Sequence, residues 1–346
     1  MKRLLISMAI LALMILPVYA TAWDAPGLPI EVDTYMEDDP ATFWNDLWSV
    51  LREALVDVRP DLAEATKTCI CLIGIILLGT IVIQYADETK QTVCIVITVS
   101  TGLLMMRSTN SLIELGKETV NSMTEYGKLI LPVLTGALAA QGGTATSAAL
   151  YSGTALFSAT LSAAISKVLI PLLYIYLCLC VACSAVTEEM LKQLRDFIKW
   201  VLTWGLKLVL YLFTGYMSIT GVISGTVDAS ALKATKLAIS GAVPVVGNIL
   251  SDASETILLS AGVMKNSVGA YGLVALASLL IGPFIKIGVH YLLLKVTAAV
   301  CSVFAQKQTT NLLFGYCSAM GFVLAMTGIS CLLLMVGIVC FMKGIG

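Results

Sequence analysis

The sequence predicts an all-α, polytopic membrane protein with broken or re-entrant helices, and three observations carry that reading. Hydrophobic residues fill 58% of the 346 positions and charged residues 12%, against roughly 25% charged in an ordinary soluble domain. The apolar residues gather into runs long enough to cross a bilayer, separated by short polar stretches. Proline and glycine interrupt several of these runs, most of all between Ser240 and Asp252. Non-helical backbone at membrane depth survives only where protein or a wet cavity satisfies it.

Composition also excludes several classes. The net charge of −1 conceals an asymmetry, because the stretch from Trp23 to Lys67 holds eleven acidic and three basic residues. That balance suits neither a nucleic-acid binder nor a polybasic lipid anchor. The ten cysteines lie in apolar runs, so they imply no disulfide framework. Cys178, Cys180 and Cys183 are spaced like a metal or redox site but lack a nearby histidine, and they read as small buried apolar residues. No metal or cofactor is implied.

From the N-terminus, Lys2 and Arg3 precede the short apolar run Leu4 to Leu16, with small residues at Ala20 and Ala22. Residues 1–22 therefore read as a signal peptide, or else as an uncleaved first span. Residues 23–67 form an acidic extracytoplasmic segment. Within it Trp44, Trp48, Leu51, Leu55, Val58 and Leu62 recur at three- and four-residue steps, which predicts an amphipathic helix. Trp44 and Trp48 dock it on a partner or on the bilayer surface, and the acidic polar face favours the partner.

Residues 68–107 hold two apolar runs, Cys69 to Tyr85 and Val93 to Met106, joined by a short polar hairpin. Arg107 to Lys128 mixes Leu112, Ile113, Val120 and Met123 with charges and reads as an interfacial amphipathic helix. Pro132 and Gly136 interrupt the next run. Small residues then recur every four positions, as at Ala155, Ala159 and Ala163, a spacing that permits close helix contact in lipid. Lys167 to Val186 and Trp200 to Ser224 are stronger spans. The second carries Lys207, which snorkels to an interface or stands as an intramembrane charge.

Beyond the central Ser240–Asp252 element, Val268 to Ile285 and Lys286 to Phe304 read as separate spans. Leu312 to Met342 is about 46 Å long if wholly helical at 1.5 Å per residue. Tilt, or a break at Gly321, Gly328 or Gly337, is needed to fit it to one bilayer. Pro132 and Pro171 are echoed at Pro244 and Pro283, 112 residues on. That echo predicts two repeats, residues 108–224 and 225–346, with a pathway at their interface. The candidate pathway or break residues are Pro132, Gly136, Gly241, Pro244, Gly247, Asn248 and Asp252, and the candidate intramembrane charges are Lys207 and Lys265.

Asp228, Lys236, the run Pro244-Val245-Val246-Gly247, Asp252, Lys265-Asn266, Gly269 and Pro283 to Lys286 together resemble the stage III sporulation protein AE family of endospore-forming bacteria. The resemblance runs from about Leu62 to the C-terminus and does not extend to the acidic segment. It implies a multi-pass protein of the mother-cell membrane around the forespore. It also implies other stage III sporulation proteins as partners, in a channel that supports late forespore gene expression. No catalytic residue is implied. Two rivals stand beside it. A stand-alone small-solute permease would use Lys207, Asp252 and Lys265. An intramembrane enzyme lacks a metal pair, a Ser/His arrangement or paired aspartates at suggestive spacing.

Overall fold

The computed structural model describes residues 42–85, 90–186, 188–242 and 247–343. The signal peptide, the lead-in to the acidic segment, the 86–89 hairpin tip and Pro244 lie outside the described residues. What is described is helical, with no strand. The helices are α1 (Thr42–Tyr85), α2 (Lys90–Ala140), α3 (Thr144–Ala164), α4 (Ile170–Ala185), α5 (Glu189–Ala242), α6 (Gly247–Cys301) and α7 (Lys307–Lys343). A π turn, Ile165–Leu169, joins α3 to α4. Six helical bodies among the described residues are long and apolar enough to cross a membrane: Leu62–Tyr85, Lys90–Ala140, Thr144–Ala185, Glu189–Tyr216, Val268–Cys301 and Lys307–Met342.

The helices run on where proline and glycine predict breaks. Pro132 and Pro283 sit inside α2 and α6. Pro132 and the Lys128 one turn before it are both exposed, so the carbonyl that loses its donor lies on an open face. Pro171 follows the π turn, where the Ile170 amide bonds back to the Ile165 carbonyl. The extra residue in that wide turn makes room for the proline ring without ending the helix. The real stop comes at residues 141–143, where Gly142 takes a φ of 93° that favours glycine.

The longest expectations change accordingly. Residues 268–304 are not two spans, because α6 passes through Pro283 to Cys301. The stretch from Arg107 to Lys128 is the middle of α2, and its apolar side, with Leu112, Ile113, Val120 and Met123, is covered by protein. In α7 no break occurs at Gly321, Gly328 or Gly337. The 112-residue echo is not carried by the elements: the turn at 141–143 corresponds to the interior of α6, and the π turn before Pro171 to uninterrupted helix before Pro283.

α7 is the hub, packing on α2, α3, α4, α5 and α6, while α1 lies against α6 and α2. Its apolar surface on every side is what a central helix requires. Tyr316, Leu334 and Phe341 are fully buried on it. Buried threonines meet the demand for internal hydrogen bonds by donating to the carbonyl four residues back, as Thr119 does to Leu115 at 2.7 Å and Thr297 to Leu293 at 2.8 Å.

Contacts fix the directions. The hydroxyls of Thr98 and Thr309 lie 3.3 Å apart, and Gly116 meets Val323 and Gly127 meets Leu334 further on, so α2 and α7 run parallel. α3 and α4 run antiparallel to α2, bridged by Asn110 to Tyr174 and Asn121 to Ser162. α5 reverses again, with Phe157 and Phe213 ring centroids 5.6 Å apart. α6 opposes α7, with Gly269 against Met342 and Tyr291 against Gly321.

This alternation places Tyr85, Lys90, Val186, Glu188 and residues 302–306 at one end of the bundle and 141–143 at the other. Single cysteines introduced at Gly143 and at Ser302 are therefore expected to react with an impermeant thiol reagent from opposite faces of membrane vesicles. Reaction of both from the same face would overturn the crossing order.

Candidate functional site

Two features of α2 stand out, one on each side of the helix. The buried side is a seam of glycines that lets α7 and α4 approach closely. A Cβ on Gly116 would lie 2.4 Å from Val323 Cγ1, on Gly127 2.9 Å from Leu334 Cδ2, and on Gly102 2.9 Å from Val181 Cγ2. Those distances are below van der Waals contact, so only glycine fits without displacement. Two buried tyrosines pin the seam. Tyr316 donates its hydroxyl to the Gly102 carbonyl at 2.8 Å, and Tyr126 donates to the Gly272 carbonyl at 2.9 Å. Each hydroxyl thereby finds a partner in an apolar interior, which burial demands.

The outer side of α2 is polar over 22 residues. Arg107, Asn110, Glu118, Asn121, Glu125 and Lys128 are exposed along it, with Glu114 and Lys117 half-buried. At 1.5 Å per residue the polar face is about 32 Å long, whereas the same face carries Leu103 and Leu104 before it and Leu129 after it. Lys117 pairs with Glu114 at 2.7 Å and Lys128 with Glu125 at 2.6 Å. These exposed i,i+3 pairs hold the stripe locally neutral and contribute little stability. Tyr174 donates to Asn110 Oδ1 at 2.5 Å and Ser162 to Asn121 Oδ1 at 3.2 Å, which ties the stripe to α3 and α4.

The residues singled out in the sequence are not brought into one site. Pro132 and Gly136 are exposed near the far end of α2, and a Cβ on Gly136 would meet nothing within 4 Å. Lys207 is exposed on α5, and Trp48 is 67% exposed on α1. Gly241 lies in the last described turn of α5 and Gly247 is the first residue of α6, and residues 243–246 between them lie outside the described residues. The side chains of Trp44, Asn248, Asp252 and Lys265, and the placement of Pro244, lie outside the described residues. No group of three or more His, Cys, Asp or Glu residues able to hold a metal occurs among the described residues.

The seam and the stripe share a signal that sequence reading passed over. Asn110 and Asn121, Gly116 and Gly127, and Val323 and Leu334 are each eleven residues apart. Eleven residues make three helical turns, so each pair returns to the same face of its helix.

A family model described as stage III sporulation protein AE matches residues 46–344. The chain belongs to the stage III sporulation protein AE family. A curated relative, stage III sporulation protein AE of Bacillus subtilis (strain 168), is 26% identical over 199 residues, covering 57% of this chain and 50% of the relative. The chain thus spans about half the length of that relative in the matched region. No solved structure matches it. Family membership makes this a sporulation protein, and its helices fit a multi-pass membrane protein.

The seam yields a direct test. Gly116→Ala is expected to destabilise the protein by about 1–3 kcal/mol through overpacking, with Val323→Ala in the same chain recovering part of the loss. Gly136→Ala should be neutral or stabilising by up to about 1 kcal/mol, since alanine is the better helix former and space is free. Thermal aggregation of the detergent-solubilised variants measures both, and a fully stable Gly116→Ala protein would refute the seam.

Proposed function

We propose that the chain is a membrane subunit of the channel that links mother cell and forespore during sporulation, seated in the mother-cell membrane around the forespore. It works there with other stage III sporulation proteins and supports late forespore gene expression. The observation that carries this reading is the family match across residues 46–344, which takes in all six membrane-length helices. The polar face of α2 adds support, because a helix of this length needs water or protein on such a face and not lipid. The acidic segment, outside the cytoplasm, supplies the surface for a partner.

The break expected from the sequence between Ser240 and Asp252 is the part of the chain that this role most depends on. Replacing Pro244 and Gly247 together with alanine favours a continuous helix from α5 into α6, by up to about 3 kcal/mol at proline and nearly 1 at glycine. Counts of heat-resistant spores are expected to fall while an immunoblot finds normal protein in the membrane. Normal spore numbers at normal protein level would remove the interruption from the mechanism.

Replacing Trp44 and Trp48 with alanine is expected to reduce recovery of partner proteins in affinity purification while leaving membrane insertion intact, since aromatic anchors carry interface energy. Loss of the variant from the membrane would make the segment a folding element. Uptake of a small solute by the purified chain in liposomes would instead support a stand-alone permease.

A further inference from the structure

Residues 110–117 and 121–128 of α2 follow one pattern twice, Asn-Ser-Leu-Ile-Glu-Leu-Gly-Lys and then Asn-Ser-Met-Thr-Glu-Tyr-Gly-Lys. Each copy turns its glycine inward, to Val323 or Leu334 of α7, and its Asn and Ser outward. In each copy the Glu pairs with the Lys three residues on, and the Asn accepts from a hydroxyl of α4 or α3. Every exposed residue of α2 from Arg107 to Lys128 is polar.

The flank formed by α3 and α5 differs at the same height. Ser162 of the antiparallel α3 meets Asn121, so Leu156, less than two turns beyond Ser162, stands level with Glu125 and Lys128. The Phe157 and Phe213 rings, 5.6 Å apart, bring Tyr211 and Leu212 of α5 to that level. Leu156 is 64% exposed, Tyr211 66% and Leu212 55%. The 21 residues of α3 contain no charge, and at 1.5 Å per residue they span about 32 Å, the thickness of one hydrocarbon core. α5 likewise carries no charge from Leu208 to Tyr216. One level of the bundle thus presents lipid-compatible residues on α3 and α5, and carboxylates and amides on α2.

Hydrocarbon covers carboxylates only at a large cost. A protein partner is a poor cover as well, because contact centres are apolar and depleted in Glu and Lys, and this face has no exposed apolar residue on which to close. A second copy in the same bilayer orientation would meet the face in register, with Glu125 beside its own counterpart. Water suits every group on it.

We infer that α2 is the wet side of the bundle: its outer face from Glu118 to Lys128 borders an aqueous cavity inside the membrane, while α3 and α5 meet lipid at the same height. Asn121, Ser122, Glu125 and Lys128 are solvated there, and the glycine seam behind them keeps the water from α7. As the side along which a channel subunit borders its pathway, this rests on the role proposed above.

The test reads the surroundings of nitroxide labels on the full chain, purified in liposomes, with the exposed Cys71 and Cys178 replaced by alanine and the parent's own labelling subtracted. Labels at Glu118→Cys and Ser122→Cys report on α2, and labels at Leu156→Cys and Leu212→Cys on the flank. Relaxation by a polar nickel chelate is expected to exceed relaxation by oxygen at the α2 positions and to fall below it on the flank. The ratio of the two should differ roughly tenfold or more between the pairs, because a polar solute is excluded from hydrocarbon. Ser122→Cys is nearly isosteric and preserves the reading should Glu118→Cys fail to accumulate. Weak relaxation by both agents at the α2 positions would mean that protein covers the face, and would overturn the inference. Chelate access at all four positions, which puts the whole level outside the bilayer, or oxygen dominance at all four, which puts it in lipid, would overturn it equally. Any of these results removes the cavity and leaves the channel role to spore counts and partner recovery.

Discussion

The contact on which the bundle depends is the parallel seating of α7 on α2 through Gly116 and Gly127. In lipid there is no hydrophobic gain from bringing two apolar helices together, so association rests on close packing and on hydrogen bonds made across the contact. Glycine supplies the first by letting Val323 and Leu334 reach the backbone of α2. Tyr316 supplies the second by donating to the carbonyl of Gly102, itself a glycine of the same seam. Once α7 is held there it offers an apolar surface all round, and α3, α4, α5 and α6 assemble on what remains of it. The short connections at 141–143 and 302–306 reverse the chain between the helices they join.

Much of the architecture was legible in the sequence because length and apolarity report directly on membrane helices. Tyr85 and Ala185 end helices close to where apolar runs end in the sequence, and the last apolar run lies within α7. Breaks were harder to read. Pro132 and Pro283 look alike in sequence to Pro171, yet only Pro171 follows a distortion, a π turn, and none of the three ends a helix. A proline stops a helix when nothing offsets its lost donor. On a long helix held by neighbours on one side and open on the other, the cost is met locally.

The site was less legible than the fold for a related reason. Attention to proline, glycine and isolated charges points at residues that differ from their surroundings, such as Lys207 and Gly136, and both are exposed. Gly116 and Gly127 sit among ordinary residues of an amphipathic stretch, and only the matched eleven-residue spacing on α7 gives them a role. The same stretch was read as lying flat on a bilayer because its apolar stripe needed a cover. That cover is α7 and α6, which a single sequence does not pair with it.

Helix length connects these points to what the protein does. A chain of this family built only to fill a bilayer needs spans of about 20 residues, whereas α2 has 51 and α7 has 37. A helix whose exposed face changes from Leu103 and Leu104 to Asn110, Glu118, Asn121 and Glu125 has two different surroundings along its length. The buried face shows no such change, since Ile113, Val120, Leu131 and Leu138 continue it and buried threonines such as Thr119 and Thr124 donate to carbonyls of their own helix. The seam is therefore one rigid unit joining the apolar-faced part of the bundle to the polar-faced part.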